Sequence, residues 1–381
     1  MSYAIEQGPI RPPSEAQSLL IRATRNCPWN KCTFCHTYRG TRFEIRPLED
    51  IKKDVQTVAD AADEIKKISW QYGEGGRITE TVANAIAGDP NYDEGFRSVA
   101  IWLYYGGRSV FIQDGNSIVM KTDDLADLLR FIRNKFPSVD RITSYCRAKT
   151  VAQKTVDDFK KLHDAGLTRL HIGMETGYDP LLTFIRKGVT AAELVEGGRN
   201  IRLSGISLSE YIMPGLGGTR WTKEHATASA RVLNEINPDY IRLRTFQPVP
   251  GTEICEIVNK GEFDLLDEDG VVKEIRLFIE TLEGIESRIV SDHILNLLEE
   301  VEGKLPEDKD RLLGVIDKYL RLSDEDRAIF CLGRRLGAFR RLDDLSVSTA
   351  YNELKRRLDL YKSEEADAME KDLARIRRRF I

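Results

Sequence analysis

Histidine and cysteine are scarce in this chain, five and six among 381 residues. So few cysteines over such a length exclude the dense disulfide framework of a small secreted domain. Reduced thiols and a cytoplasmic setting are expected instead. No run approaches the roughly 18 apolar residues that cross a bilayer, so no membrane partner is expected. The opening, MSYAIEQGPIRPPSEAQ, lacks the basic-then-apolar order of a secretory signal. Neither sign of charge dominates: 57 Lys and Arg face 61 Asp and Glu, a net charge of −4. That balance points to no polyanionic partner, and nucleic acid is not expected. With 31% charged and 41% hydrophobic residues, the chain suits one large domain with an appendage, or two domains.

What is present is an alternation. SLLIRAT (18–24) reads as a strand and is followed by a helical stripe of Ile51, Val55, Val58, Ala62 and Ile65. SVFIQDG (109–115) precedes a helix carrying Leu125, Leu128, Leu129 and Ile132. DRITSYCRA (140–148) precedes one with Val156, Phe159 and Leu162, closed by Gly166. TRLHIGMETG (168–177) leads to a helix opening on TAAE from Thr190, a capping-box pattern. GISLSEYIMPG (205–215) precedes a helix with Ala226, Ala230, Leu233 and Ile236, and DYIRLRTFQPVPG (239–251) is the sixth strand candidate. Six βα units in series, with mostly apolar strands, predict an α/β fold with a parallel sheet covered by helices. Right-handed crossovers curl such a series toward a barrel or partial barrel, and an open doubly wound sheet is the alternative. Both put the ligand site at the carboxyl ends of the strands. Residues 69–107 stand apart as an insertion rich in glycine and aromatics, among them Trp70, Tyr72, Tyr92, Trp102, Tyr104 and Tyr105. Residues 1–255 are expected to form the core with that insertion, and 256–381 a charged, mainly helical region.

Three of the six cysteines lie in TRNCPWNKCTFCHTYRG, directly after the first strand: Cys27, Cys32 and Cys35, spaced C-x4-C-x2-C. Thiolates are soft ligands suited to zinc or iron–sulfur clusters. A structural zinc site needs a fourth ligand, and His36 is the local candidate. Adjacent residues, however, rarely aim both side chains at one ion. A four-iron cluster held by three cysteines leaves one iron open to a small molecule, with Phe34 placed against it.

This loop, placed after the first strand of a βα series and carrying an aromatic before its last cysteine, resembles that of the radical S-adenosylmethionine (SAM) enzymes. The resemblance spans about residues 18–250. SVFIQDGNSI is similar to the second-strand motif of branches with an acidic–glycine turn. AGLTRLHIGMETG, IRKGVTAAELVEGGRNIRLSGISLSEYIMPGLGG and RLRTFQPVPGTEI resemble later units of coproporphyrinogen-oxidase-like and cobalamin-associated branches. The commoner first gap in that family is three residues, and here it is four.

The resemblance implies a partial (βα)6 TIM-like barrel of the radical SAM type with a C-terminal helical extension. It implies a [4Fe–4S] cluster on Cys27, Cys32 and Cys35, with S-adenosyl-L-methionine chelating the remaining iron. Asp114, Gly115 and Asn116 would then meet the SAM amino group, the glycine permitting close approach. Arg147 would pair with the SAM carboxylate in fork geometry, and Glu175 would grip the ribose hydroxyls. Met213, Gly215 and Gly217, around Pro214, would lie against the adenine. Each has a plainer alternative: an ordinary turn for Asp114–Asn116, and a surface salt bridge for Arg147. For Glu175 the alternative is pairing with Arg147 or a neighbouring lysine.

Arg242, Arg244 and Gln247 alternate along strand six, and the two arginines share a face. They are candidates for a substrate or SAM carboxylate, or for a structural ion pair. His171 reads as a core histidine, and Ser291 and Asp292 as the cap of a helix beginning at His293. Cys146, Cys255 and Cys331 read as buried free thiols, and the basic ending ARIRRRF as a solvated helix face. No cobalamin-binding module is expected ahead of residue 18. The expected function is a metal-binding oxidoreductase or transferase that reductively cleaves SAM and abstracts hydrogen from an organic substrate. Its partner would be a reductant such as flavodoxin or ferredoxin. A zinc- or cluster-binding protein with a structural or electron-transfer role is the alternative.

Overall fold

A computed structural model of the chain describes residues 3–347, 349–363 and 368–377. Among these, the main sheet has eight strands: β1 (Leu19–Arg22), β2 (Ser109–Gln113), β3 (Arg141–Cys146), β4 (Arg169–Glu175), β5 (Ser207–Ile212), β6 (Tyr240–Leu243), β7 (Arg288–Val290) and β8 (Gly303–Lys304). They neighbour one another in strict chain order from β1 to β8. β1 pairs in parallel with β2, β2 with β3 and β3 with β4. β5, β6 and β7 are also parallel, and β8 joins antiparallel. Sequential order distinguishes this fold from a doubly wound sheet, whose order reverses at a switch point. It is the order of a partial (βα) barrel, and among the described residues it does not close on itself. The first six strands are those predicted. The last two fall in the stretch expected to be mainly helical, because Ile289 pairs in register with Ile241 and both are fully buried.

The chain divides into two compact units. One comprises Met1–Asn30, Thr37–Ile172 and Glu196–Leu208. In it, α1 (Leu48–Gln71) buries its stripe of Ile51, Val55, Val58, Ala62 and Ile65 as the 3.6-residue period requires. The aromatic insertion is a pair of helices, α2 (Glu80–Gly88) and α3 (Glu94–Tyr104), following the end of α1. Buried Trp102 donates its indole N–H to the Ser109 carbonyl at 2.9 Å and ties α3 to β2, whereas Trp70, Tyr72, Tyr104 and Tyr105 are exposed. α4 (Thr122–Lys135) buries Leu125, Leu128, Leu129 and Ile132. α5 (Val156–Asp164) starts with a capping box in which Thr155 and Asp158 exchange hydrogen bonds at 3.1 and 3.0 Å.

The second unit comprises Lys31–His36, Gly173–Val195 and Ser209–Ile381. The predicted Thr190 capping box is realised: Glu193 N–H reaches the Thr190 hydroxyl at 3.3 Å, and Thr190 N–H reaches Glu193 at 3.0 Å. α7 (Gly218–Ile236), α8 (Glu268–Thr281), α9 (Lys309–Leu320) and α10 (Asp324–Leu336) are its long helices; α6 (Ala191–Ser204) begins in it. No helix begins at His293. The segment is irregular, and Asp292 is drawn to arginines on β6 instead of capping. Nor is the basic ending simply solvated. Arg377 pairs at 2.8 Å with Glu268, which Arg335 also holds at 2.7 Å, and residues 378–381 lie outside the described residues. His171 is fully buried beside Glu15, and Cys146, Cys255 and Cys331 are buried free thiols, as expected. No described helix is long and apolar enough to cross a membrane.

Candidate functional site

The carboxyl end of β2 is organised by one carboxylate. Asp114 is fully buried and accepts from Arg22 Nη2 at 2.7 Å, from the Asn26 amide at 3.1 Å and from the Tyr38 hydroxyl. Asn26 immediately precedes Cys27 and Tyr38 lies three residues after Cys35, so Asp114 fastens both ends of the cysteine loop. Its oxygens are engaged within the protein, and a SAM amino group would have to share them. Burial, then the Asp114 charge, pushes the Tyr38 phenol far above its usual range, so it stays a donor at every working pH. Gly115 packs closely against the loop. A Cβ there would lie 3.1 Å from the Tyr38 ring and 3.5 Å from the Cys27 Cβ. What lies closest to Gly115 in the structure is the cysteine loop itself.

Asn116 spends both ends of its amide on the chain after β3. Its Nδ2 donates to Thr150 at 2.8 Å and its Oδ1 accepts the Arg147 amide at 3.1 Å. The Arg147 guanidinium lies over the Trp29 ring, 5.1 Å from its centroid. Trp29, inside the cysteine loop, went unnoticed in the sequence because a tryptophan between two cysteines has no periodicity to mark it.

In the second unit, Cys32–Cys35 is a turn, with the Cys35 amide donating to the Cys32 carbonyl at 3.3 Å. Thr33 docks it: its N–H donates to Ile185 at 3.0 Å and its carbonyl accepts from Ile254 at 3.2 Å. Ile185 and Ile254 belong to a buried cluster with Leu181 and Leu216, against which Phe34 and Met213 pack. Phe34 also carries the Lys187 ammonium 5.7 Å from its ring centroid, and Lys187 binds Glu175 at 2.6 Å. Pairing of Glu175 with a neighbouring lysine is thus what occurs. The pair needs Gly173, where a Cβ would fall 2.2 Å from Glu175 Oε1. Lys187, Gly173 and the fully buried Glu210 were not anticipated. Glu210 Oε2 makes no hydrogen bond, and burial, then the Glu175 charge, hold its carboxyl well above the usual range. One signal was readable: a glutamate in a strand that carries Leu208, Tyr211 and Ile212 is out of pattern for a buried parallel strand.

Met213 joins this group through its amide, which donates to the Glu175 carbonyl at 3.1 Å. The Gly215 amide donates to buried Glu274 at 2.7 Å, Thr222 donates to the other oxygen at 2.7 Å, and His225 lies 3.6 Å away. That amide is therefore engaged inside the unit. Gly217 is packed against the backbone of Trp221, where a Cβ would meet carbonyl atoms at 3.0 Å.

The three cysteines of the loop are half-buried free thiols. Among the described residues no three His, Cys, Asp or Glu side chains are grouped as a metal cage, so the thiols are a donor set laid out along the loop. Three thiols in no disulfide, two of them on a docked turn, fit a thiolate-bound cluster in their donor chemistry.

No family model matches the chain. It is 21% identical over 269 residues to the tRNA uridine(34) acetyltransferase of Methanocaldococcus jannaschii, covering 67% of this chain and 47% of that protein. The chain thus spans less than half of that relative's length. Among solved structures it is similar to the cobalamin-dependent S-adenosylmethionine radical enzyme OxsB (12% identity, TM-score 0.47, 95% of this chain and 54% of that one). It is similar also to Escherichia coli coproporphyrinogen III oxidase HemN, a radical SAM enzyme (14% identity, TM-score 0.42, 69% and 52%). These likenesses are distant.

Proposed function

We propose that this chain is a radical SAM enzyme acting on an organic substrate, with Cys27, Cys32 and Cys35 as the protein ligands of a [4Fe–4S] cluster. The observation that carries the reading is the cysteine loop itself. It follows the first strand of a sequentially ordered parallel sheet, Asp114 fastens both its ends, and Thr33 docks the turn that bears Phe34. The bound cluster would supply the electron that splits SAM into methionine and a 5′-deoxyadenosyl radical.

The chain's own residues have separable tasks in this reading. Asp114 holds Asn26 and Tyr38 at the two ends of the loop and Thr33 docks the turn between Cys32 and Cys35, which lowers the ordering cost of binding. Asn116 sets the backbone of Arg147, whose guanidinium faces Trp29 and is offered to the SAM carboxylate. Glu175, oriented by Lys187, is offered to the ribose hydroxyls. Glu210, buried near Glu175 and Lys187, has its carboxyl held well above the usual range by burial and then by the Glu175 charge. The reductant would be a flavodoxin or ferredoxin. The relative's name makes tRNA a second substrate class to try, and the balanced charge of this chain lends that no separate support.

The test is anaerobic reconstitution followed by reduction with SAM present. The expected result is a brown protein with ~4 irons and ~4 sulfides per chain that forms 5′-deoxyadenosine. A colourless protein with one zinc would replace the proposal by the structural alternative. A cluster that forms without SAM cleavage would leave an electron-transfer role.

A further inference from the structure

Two arginines at the end of β6 are not balanced. Arg242, in the strand, and Arg244, one residue past its end, converge on a single carboxylate, Asp292, at 3.0 and 2.7 Å. Arg242 is buried, and its Nε also donates to the Ser209 hydroxyl at 3.1 Å. The Arg244 guanidinium lies 5.1 Å from the centroid of Tyr211, and its Nη1 further donates to the Leu243 carbonyl at 3.0 Å. Its Nη2 is buried with no hydrogen-bond partner. A guanidinium carries five donors in a rigid fork, and leaving one buried and unused is costly.

His293, next in sequence to Asp292, contributes no charge to offset. Burial and the nearby Arg244 lower it to about 4, so it is neutral at pH 7. The cluster therefore holds two fixed positive charges against one negative one, in a setting where an uncompensated charge is expensive. Asp292 is partly exposed and also lines an open cleft of about 1310 Å³, bordered by Arg288, Arg311 and Arg340 and equally by Glu299, Glu300 and Glu302. A pair of planar forks that share one carboxylate and are one anion short has the chemistry of an oxyanion receptor.

We propose that Arg242 and Arg244, with Tyr211 beneath Arg244, form a subsite for a carboxylate or phosphate group of the substrate. Asp292 occupies the forks in the absence of the ligand and yields part of them to it. Calling the anion part of the substrate rests on the enzymatic reading above; the anion site itself does not.

The experiment measures thermal unfolding of the anaerobically reconstituted full-length chain against sodium phosphate and, separately, sodium acetate. Sodium chloride at equal ionic strength is the baseline. SAM is left out, and iron is counted for each variant. The wild type should gain stability from one of the two oxyanions with saturation, which the chloride baseline does not show. The oxyanion that acts identifies the substrate group. Arg244→Gln should weaken that binding at least tenfold, and Asp292→Asn should tighten it, because the competing carboxylate is gone. The His293 ring resonances should shift with the same titration curve. Equal responses of wild type and Arg244→Gln, or no response to either anion, would overturn the proposal. Should Arg244→Gln fail to fold, Asp292→Asn decides, since unchanged or weaker binding there refutes it. Normal iron content with no anion response would fail the subsite alone, and lost iron with an intact response would fail the cluster reading alone.

Discussion

The corner at Asp114 and the corner at Arg244 contain the same kinds of groups in opposite balance. At Asp114 one buried carboxylate meets a guanidinium, an amide and a phenol, and its hydrogen-bonding capacity is taken up. At Arg244 two guanidinium groups share one partly exposed carboxylate, whereas Arg22 at the first corner is held by two, Glu6 and Asp114; each corner leaves one buried guanidinium nitrogen without a hydrogen bond. A carboxylate whose acceptors are filled specifies a shape. A surplus of guanidinium charge stores a cost that an anion can remove. The first corner accordingly reads as the fastening of the cysteine loop, and the second as a receptor.

The comparison can be broken at several strengths. The largest effect belongs to the loop being fastened: Cys32→Ala should leave circular dichroism unchanged and abolish 5′-deoxyadenosine formation. Retained product would contradict the cluster assignment. Next comes the fastening itself. Asp114→Ala leaves Arg22 with Glu6 as its one carboxylate partner and removes the acceptor of two loop contacts, so urea unfolding should show a loss of about 3 kcal/mol. A loss under about 1 kcal/mol would mean that this corner is no more satisfied than an exposed ion pair.

Glu210 supplies a graded test. Its folded carboxyl is held above the unfolded value, so the folded state binds the extra proton. The stability this contributes is complete below about pH 4.3 and is lost as pH rises through the folded value, at up to about 1.4 kcal/mol per pH unit. Glu210→Gln should flatten that part of the stability–pH curve, and an unchanged curve would place the proton elsewhere. The smallest effect is expected from Tyr38→Phe, which removes one of three partners of Asp114 and should cost about 1 kcal/mol in the same urea assay. A much larger loss would make the phenol, not the arginine, the principal partner.

The strands and helices were legible because burial imposes periodicity. The stripe on α1 and the six apolar strands announce themselves at spacings of 3.6 and 2. The thiols were legible because cysteine is rare in this chain and three fall within nine residues. The partners of the site residues were not legible. Asp114 lies 76 residues from Tyr38 and 92 from Arg22, and no local pattern connects them. Asp292 was read as a helix cap because Ser-Asp before an apolar run looks like one. Two arginines about 50 residues away claimed the carboxylate instead.

By itself, then, the sequence determined the βα series and the donor chemistry of the loop, since these follow from side-chain type and near-neighbour spacing, and the order of the strands in the sheet came from the structure. Only the tertiary structure decided which charges are spent and which remain. Pairing depends on distances between residues far apart in the chain, and burial multiplies the consequence of each pair made or missed.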